Sequence, residues 1–185
     1  IYTGIHTLSL HDALPIGEWV VDEATRQLVQ WQRRRPDLQL AVNVSARQVR
    51  HLLLLDLVRG AAERNGVDPC DLHLEITERV LLEANDDVVA QLRAVAELGC
   101  EIALDDYGTG YSSLAYLTRF PVTALKIDKT FVAGIGVSGE STAVVEAILG
   151  LAEALGLGTV AEGVETPEQL ELLRETSCQR AQGYH

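Results

Sequence analysis

Short apolar segments alternate with longer segments of helical period along the chain from Gly17 onward. Within residues 17–34, apolar side chains recur at steps near three and four, which predicts a helix that Pro36 ends. The next apolar segment, 38–44, predicts a strand. The same two patterns then repeat to the end of the chain. They predict helices over 54–65, 84–98, 111–118, 139–155 and 167–175, and strands over 72–76, 101–105, 123–127, 158–161 and near 178–181.

The regular alternation of strands and helices predicts the fold class. Such an order is typical of a parallel sheet covered by helices, in either a (β/α) barrel or an open α/β sheet. No linker rich in Pro, Gly or Ser divides the chain, so we expect one domain. Trp19, Trp31 and Phe131 are expected to pack in the core or between helices.

The first sixteen residues differ in character from the rest of the chain. Thr7 to Ile16 matches, residue for residue, one reading frame of a widely used sequencing-adapter DNA. We therefore interpret residues 1–16 as a non-native, adapter-like segment and residues 17–185 as the domain. A secretory signal is the alternative interpretation. It fits less well because the segment lacks a basic start and because His11 and Asp12 interrupt its apolar part.

Composition excludes several classes of partner. The 185 residues include 27 acidic and 15 basic residues, a formal charge of -12, so we expect no DNA or RNA polymer as a ligand. No apolar run approaches the roughly 20 residues that span a bilayer, so no membrane contact is expected from this segment. The three cysteines are odd in number and form no CxxC pair. This argues against a disulfide framework or a zinc site and favours a reducing, cytoplasmic location.

Every predicted strand ends in a polar residue. These residues are Asn43, Glu75, Asp105 with Asp106, Lys126, Glu162 and Gln182. Because the carboxyl ends of parallel strands meet on one face, we expect these side chains to share a site. Carboxylates that crowd together repel one another unless a cation neutralises them. An all-oxygen ligand set favours Mg²⁺, Mn²⁺ or Ca²⁺ over Zn²⁺.

Two divalent ions in such a site are a recurring solution for phosphodiester hydrolysis. Asp105 could bridge both ions while Asp106 holds one of them. Lys126 could orient or polarise the attacking water, and Glu162 could bind metal or accept a proton. No Ser or Cys lies in an elbow motif such as GxSxG, so covalent catalysis has little support.

Each of these side chains also has a simpler structural interpretation. Asp105 and Asp106 could begin a loop, because Asp favours turns. Lys126 could form a surface ion pair with Asp128. Asn43 could satisfy a turn through its side chain. The metal-site interpretation rests on these residues occurring together.

Six ordered motifs resemble the EAL-domain phosphodiesterases of bacteria, which hydrolyse cyclic di-GMP. The motifs are NVSA (43–46), EITE (75–78), DDYGTGYSS (105–113), KID (126–128), AEGVET (161–166) and QGY (182–184). The resemblance implies a TIM-like (β/α) barrel that uses two Mg²⁺ or Mn²⁺ ions and releases linear pGpG. It also implies that Ca²⁺ binds without supporting turnover and that the intact protein is a homodimer.

The resemblance assigns roles to individual residues. It implies five metal ligands: Asn43, Glu75, Asp105, Asp106 and Glu162. It implies that Glu162, Lys126 and Asp105 act in catalysis and that Gln182 and Asp128 bind substrate. Glu78 would anchor the loop after Asp106, whose glycines at 108 and 110 permit tight backbone geometry.

One expected motif is absent. The family's first strand carries Glu-x-Leu-x-Arg, whose Glu is a metal ligand, and no such strand precedes Gly17. Glu153-Ala154-Leu155 spells the tripeptide, but it lies inside a predicted helix and no Arg follows it. We therefore expect a domain incomplete at both ends, active in its parent protein and inactive as this fragment. The alternatives are a catalytically silent cyclic di-GMP sensor, a protein-interaction domain or a general metallophosphatase.

Overall fold

A computed structural model describes residues 13–51, 53–108 and 114–184. Six strands form one parallel sheet whose spatial order follows the sequence. The strands are β1 Leu40–Asn43, β2 Leu72–Thr77, β3 Glu101–Tyr107, β4 Ala124–Ile127, β5 Gly158–Val164 and β6 Arg180–Gly183. The helices are α1 Ala13–Gln32, α2 Ala46–Arg50, α3 Leu54–Asn65, α4 Glu78–Leu82, α5 Asp86–Glu97, α6 Leu114–Arg119, α7 Lys129–Ala133, α8 Gly139–Leu155 and α9 Pro167–Arg174.

This architecture confirms the predicted α/β class and is an incomplete TIM-like (β/α) barrel. The predicted strands are all present, although β6 begins two residues later than expected. Helix α1 begins at Ala13, so the last residues of the adapter-like segment 1–16 are helical. The first turn of the predicted helix 111–118 lies outside the described residues.

A single side chain reveals how strongly the sheet curls. Arg180 at the start of β6 pairs with Glu101 at the start of β3, and its guanidinium also lies 3.5 Å from His73 Nδ1 on β2. In a flat sheet, β6 and β3 would lie about 14 Å apart, with their side chains projecting parallel to each other. The contact therefore requires the sheet to bend towards a barrel, with Arg180 crossing its inner side.

The core lies between the sheet and the helices. It includes Leu28 of α1, Leu54 of α3 and the strand residues Leu74, Ile102 and Leu125, all at most 1% exposed. Burial of such side chains is the main stabilising contribution to this fold.

The aromatic residues follow the core prediction only in part. Phe131 packs against the core as expected. The prediction was wrong for Trp19 and Trp31, which are 65% and 45% exposed on α1. Their helical spacing was correct, but they lie on the side of the helix that faces away from the sheet.

None of the helices in the described part of the chain combines the length and apolarity that a membrane-spanning helix requires.

Candidate active site

The ammonium of Lys126 lies at the centre of a cluster of carboxylates. Its Nζ is 2.8 Å from Glu75 Oε1, 3.0 Å from Asp105 Oδ1 and 2.6 Å from Glu162 Oε1. Lys126 itself is only 4% exposed. The surface ion pair between Lys126 and Asp128 that was weighed as an alternative is therefore wrong. The four charged side chains come from four different strands, as the convergence of strand ends predicted.

A β-bulge explains why both adjacent aspartates belong to this site. Leu104 pairs with Leu125 and Tyr107 pairs with Ile127, so two residues of β3 stand opposite Lys126 alone. In a regular strand, neighbouring side chains would point to opposite faces. The extra residue, Asp106, has a φ of 55°, in the left-handed region. This turn of the backbone lets Asp105 and Asp106 present carboxylate oxygens to the same space.

The charges of the cluster are strongly coupled. Burial works against the charge on Lys126, but hydrogen bonds to Glu162 and Glu75 and the nearby carboxylates outweigh it, so the pKa of Lys126 is raised. Burial also raises the pKa of Glu162, and the hydrogen bond from Lys126 offsets this only in part. The pKa of Asp106 is raised by burial and by the charges of Asp105 and Asp128. One ammonium therefore leaves the cluster with excess negative charge.

The donor set fits a divalent cation. Asp105, Asp106 and Glu162 each offer a carboxylate oxygen, and these oxygens lie within 4.8 Å of one another. Asp105 Oδ1 is buried and lies near Lys126, yet within the described chain it has no partner aligned for a hydrogen bond. The ion pair with Lys126 compensates part of its charge, and a cation could bind its remaining lone pairs. Hard ions prefer such oxygen ligands, so these residues are suited to hold one.

The remaining predicted metal and substrate residues lie around this cluster. Asn43 stands opposite Glu75 in the ladder between β1 and β2, and Gln182 stands opposite Glu162 between β5 and β6. Both side chains are exposed at the carboxyl end of the sheet. Asp128 is buried and caps α7 by accepting a hydrogen bond from the Thr130 backbone. The substrate-binding roles of Gln182 and Asp128 remain predictions.

Glu78 is buried at the first position of α4, beside the site. Within the described residues, its Oε1 has no hydrogen-bond partner. Its charge contributes to the raised pKa of Tyr107, which burial raises most, so the two side chains are near each other. The loop that Glu78 was predicted to anchor falls on residues 109–113, which lie outside the described residues. The anchoring role therefore stays a prediction.

Sequence reasoning missed Lys129 and Gly163. Lys129 begins α7 and Gly163 follows Glu162, and the two are in contact beside the carboxylates. A signal for Lys129 was available, because only two of the 15 basic residues are lysines, Lys126 and Lys129. Lys129 also follows closely after the end of β4, at the edge of the sheet where the polar residues meet.

Known proteins share both the sequence and the fold of this chain. The EAL domain pattern matches residues 6–185. The bifunctional diguanylate cyclase/cyclic di-GMP phosphodiesterase MucR of Pseudomonas aeruginosa is 43% identical over 170 residues, which are 91% of this chain and 25% of MucR. The structure of the MucR phosphodiesterase in complex with c-di-GMP has a TM-score of 0.87 at 42% identity, covering 92% of this chain and 70% of that chain.

A second solved structure contains a metal ion. It is the manganese and cyclic di-GMP complex of BlrP1 from Klebsiella pneumoniae, with a TM-score of 0.80 at 30% identity, covering 96% of this chain and 45% of that one.

These matches establish the family but not the domain boundary. The match begins at residue 6, inside the adapter-like segment, so the boundary at residue 17 stays a prediction. The chain spans only 20% to 29% of the length of the first curated relatives that it matches. The motifs, the barrel strands and the carboxylate cluster nevertheless agree with the match over nearly the whole chain. The chain belongs to the EAL domain family.

Proposed function

We propose that this chain forms the catalytic region of a phosphodiesterase that hydrolyses cyclic di-GMP to linear pGpG. The observation that carries this proposal is the convergence of Glu75, Asp105 and Glu162, from three strands, on the buried Lys126. Its support from relatives is that MucR is named a cyclic di-GMP phosphodiesterase and has been solved with c-di-GMP.

Divalent cations complete the proposed site. Asp105, Asp106 and Glu162 would hold Mg²⁺ or Mn²⁺, with Asn43 and Glu75 as further ligands. When bound, two such ions supply an activated water and stabilise charge on the phosphate. The calcium and manganese complexes of BlrP1 with cyclic di-GMP support this choice of ion class.

The protein side chains have separate tasks in the proposed reaction. Lys126 donates hydrogen bonds from a fixed position and so orients the attacking water relative to the phosphate. Glu162, whose pKa is raised by burial, is suited to accept a proton at its carboxylate oxygen. Asp105, on the opposite side of Lys126 from Glu162, would hold the metal together with Asp106. Gln182, opposite Glu162, would bind the substrate beside the reacting phosphate.

Two substitutions test the proposal in the full-length protein. Glu75→Ala and Glu162→Gln should each lower the rate of pGpG formation by about 100-fold or more, because Glu75 would hold a metal ion and Glu162 would bind metal or accept the proton. Glu171→Gln is the matched control, because this carboxylate is exposed on α9 and pairs only with Arg174 among the described residues. Product formation is followed by chromatography in Mg²⁺ and in Mn²⁺.

The possible outcomes separate the candidate functions. Near-normal hydrolysis by both variants would refute the assigned site. Tight binding of cyclic di-GMP by the wild type, without any product in Mg²⁺ or Mn²⁺, would instead identify a silent sensor. Hydrolysis of many unrelated phosphodiesters at equal rates would identify a general metallophosphatase.

A further inference from the structure

A cleft of about 420 Å³ opens beside the carboxylate cluster. Glu162 and Gln182 line it on the side of the sheet, and Lys129 lines it on the side of α7. This volume falls within the range of about 300 to 1,000 Å³ that is typical of small-molecule sites. It also exceeds the space that a single phosphodiester group fills. The cleft therefore has room for a part of the substrate that lies away from the reacting phosphate.

Lys129 lies in this wall because the neighbouring strand β5 has a glycine beside it, and so no side chain there. Gly163 is the extra residue of the bulge between β5 and β6, and its φ is 68°. A Cβ built at position 163 would lie 2.7 Å from Cβ of Lys129, closer than side chains tolerate. The glycine thus allows the stem of Lys129 to lie against β5, directly beside Glu162. This contact fixes where the side chain of Lys129 starts along the cleft wall.

The two lysines of the chain differ in how their charge is used. Lys126 is buried and already forms ion pairs with three carboxylates, so its charge is compensated within the site. Lys129 is exposed, and no ion pair of its ammonium is found in the part of the chain that the structure describes. The other charged groups of the cleft wall, Glu162 and Glu165, would repel an anion. Lys129 is the group suited to attract one.

We infer that Lys129 binds the second phosphodiester of the cyclic dinucleotide, the one that is not cleaved. This inference rests on the proposed function. Cyclic di-GMP carries two anionic phosphodiester groups, and conversion to linear pGpG breaks only one of them. Because the charge of Lys126 is already compensated, a cation that attracts the uncut group must lie outside the cluster. The ammonium of Lys129 supplies this positive charge from the wall of the cleft. It would therefore favour binding of a cyclic dinucleotide over a substrate with a single phosphodiester.

Isothermal calorimetry in Ca²⁺ tests this inference on the full-length protein without relying on turnover. Lys129→Gln should weaken binding of cyclic di-GMP about tenfold, as expected for the loss of one charge-assisted hydrogen bond. The affinity of this variant should also depend less on NaCl than that of the wild type, because one ionic contact is missing. Lys129→Arg should restore most of the affinity. In Mg²⁺, Lys129→Gln should raise KM and leave kcat unchanged.

Arg35→Gln is the control for a general change in charge. This arginine is exposed before β1, at the opposite end of the sheet, and pairs with Asp37. It should bind cyclic di-GMP like the wild type. Equal affinity and salt dependence in the wild type and Lys129→Gln would overturn the inference about Lys129 while leaving the proposed function intact. Failure of the wild type to bind cyclic di-GMP in any divalent cation would overturn both.

Discussion

Asp106 shows how the backbone of one residue shapes the site. A non-glycine residue with a φ of 55° is uncommon, although Asp tolerates this region better than most residues. Such a conformation costs on the order of 1 to 3 kcal/mol and persists only where its surroundings fix it. Here the strained residue is the one that brings a second carboxylate to the cluster. The cost therefore falls on a member of the carboxylate cluster, and strained residues are often found at such candidate sites.

A residue far from the site gives the molecule a defined response to alkaline pH. Burial raises the pKa of the Cys100 thiol to about 11, from an ordinary value of 9.0. Between these two values the folded state holds the thiol proton and the unfolded state releases it. The free energy of unfolding should therefore fall as pH rises from 9 to 11, by about 2 to 3 kcal/mol from this group. Below pH 9 this contribution should be constant.

Urea unfolding of the wild type and Cys100→Ala at several pH values measures this effect. The difference between the two proteins isolates the thiol from other groups that titrate in the same range. It should shrink steadily between pH 9 and pH 11. A difference that does not change with pH would show that the thiol is not protected by burial.

The sequence was enough to predict which residues form the cluster, but it predicted their burial and contacts only in part. The ordering of polar residues after apolar segments identified Glu75, Asp105, Lys126 and Glu162, because strand ends converge in any parallel sheet. The near-complete burial of Lys126 was not predictable, since it depends on how the sheet curls around it. The surface ion pair with Asp128 was a reasonable local interpretation for the same reason.

At the scale of secondary-structure elements, two bulges lie on either side of β4 at the carboxyl end of the sheet. One adds Asp106 to β3 and the other adds Gly163 to β5. Each bulge changes the direction of side chains at the strand end, as bulges near active sites commonly do. The first brings two carboxylates together, and the second makes room for Lys129. A β-bulge therefore shapes both the carboxylate cluster and the cleft.

The contact of Arg180 with Glu101 should control how firmly β6 is held. Strand β6 pairs only with β5 in the described sheet, and all four of its residues are exposed. Arg180→Ala removes the link to β3, and for a partly exposed pair the expected loss is about 1 kcal/mol. Amide hydrogen exchange in residues 180–183 should then be about fivefold faster, because β6 opens locally without unfolding of the core.

Arg174→Ala is the matched control for this strand. It removes an exposed ion pair within α9, between Arg174 and Glu171, and should leave exchange in β6 unchanged. Exchange in β4 should be the same in both variants and in the wild type. Unchanged exchange of residues 180–183 in Arg180→Ala would show that strand pairing alone holds β6.

Long elements were predictable because their periodicity extends over several turns. The helix predictions at 54–65 and 139–155 match α3 and α8 at both ends. Helices α2, α4 and α7 were missed because five residues are too short to show a helical period. Strands β3 and β5 extend further than predicted, since bulges and polar side chains interrupt the alternation that identifies a strand.

For the whole molecule, binding of a divalent cation should appear as a change in thermal stability. A ligand that binds only the folded state adds about 2.7 kcal/mol when present at 100 times its dissociation constant. For a chain of this size, the unfolding temperature should rise by roughly 5 to 10 °C in Mg²⁺, Mn²⁺ or Ca²⁺. Ca²⁺ should give this rise without supporting hydrolysis of cyclic di-GMP.

Differential scanning calorimetry of the wild type and Asp105→Asn checks the origin of this stabilisation. Asp105→Asn removes a charge from the cluster, so its unfolding temperature should respond little to the cations. The control Glu171→Gln should respond like the wild type. An equal rise in wild type and Asp105→Asn would mean that the cations bind elsewhere on the acidic surface.

The position of Lys126 has a consequence for how the protein matures. Because an internal ammonium already balances part of the negative charge, a newly made chain need not wait for magnesium or manganese to adopt its shape. The metal ion would enter a site that is already folded, and it would compete there with the ammonium of Lys126 for the carboxylates. Under the proposed function, a shortage of metal would then stop hydrolysis without unfolding the protein. The dormant molecules would regain function as soon as the ion returned.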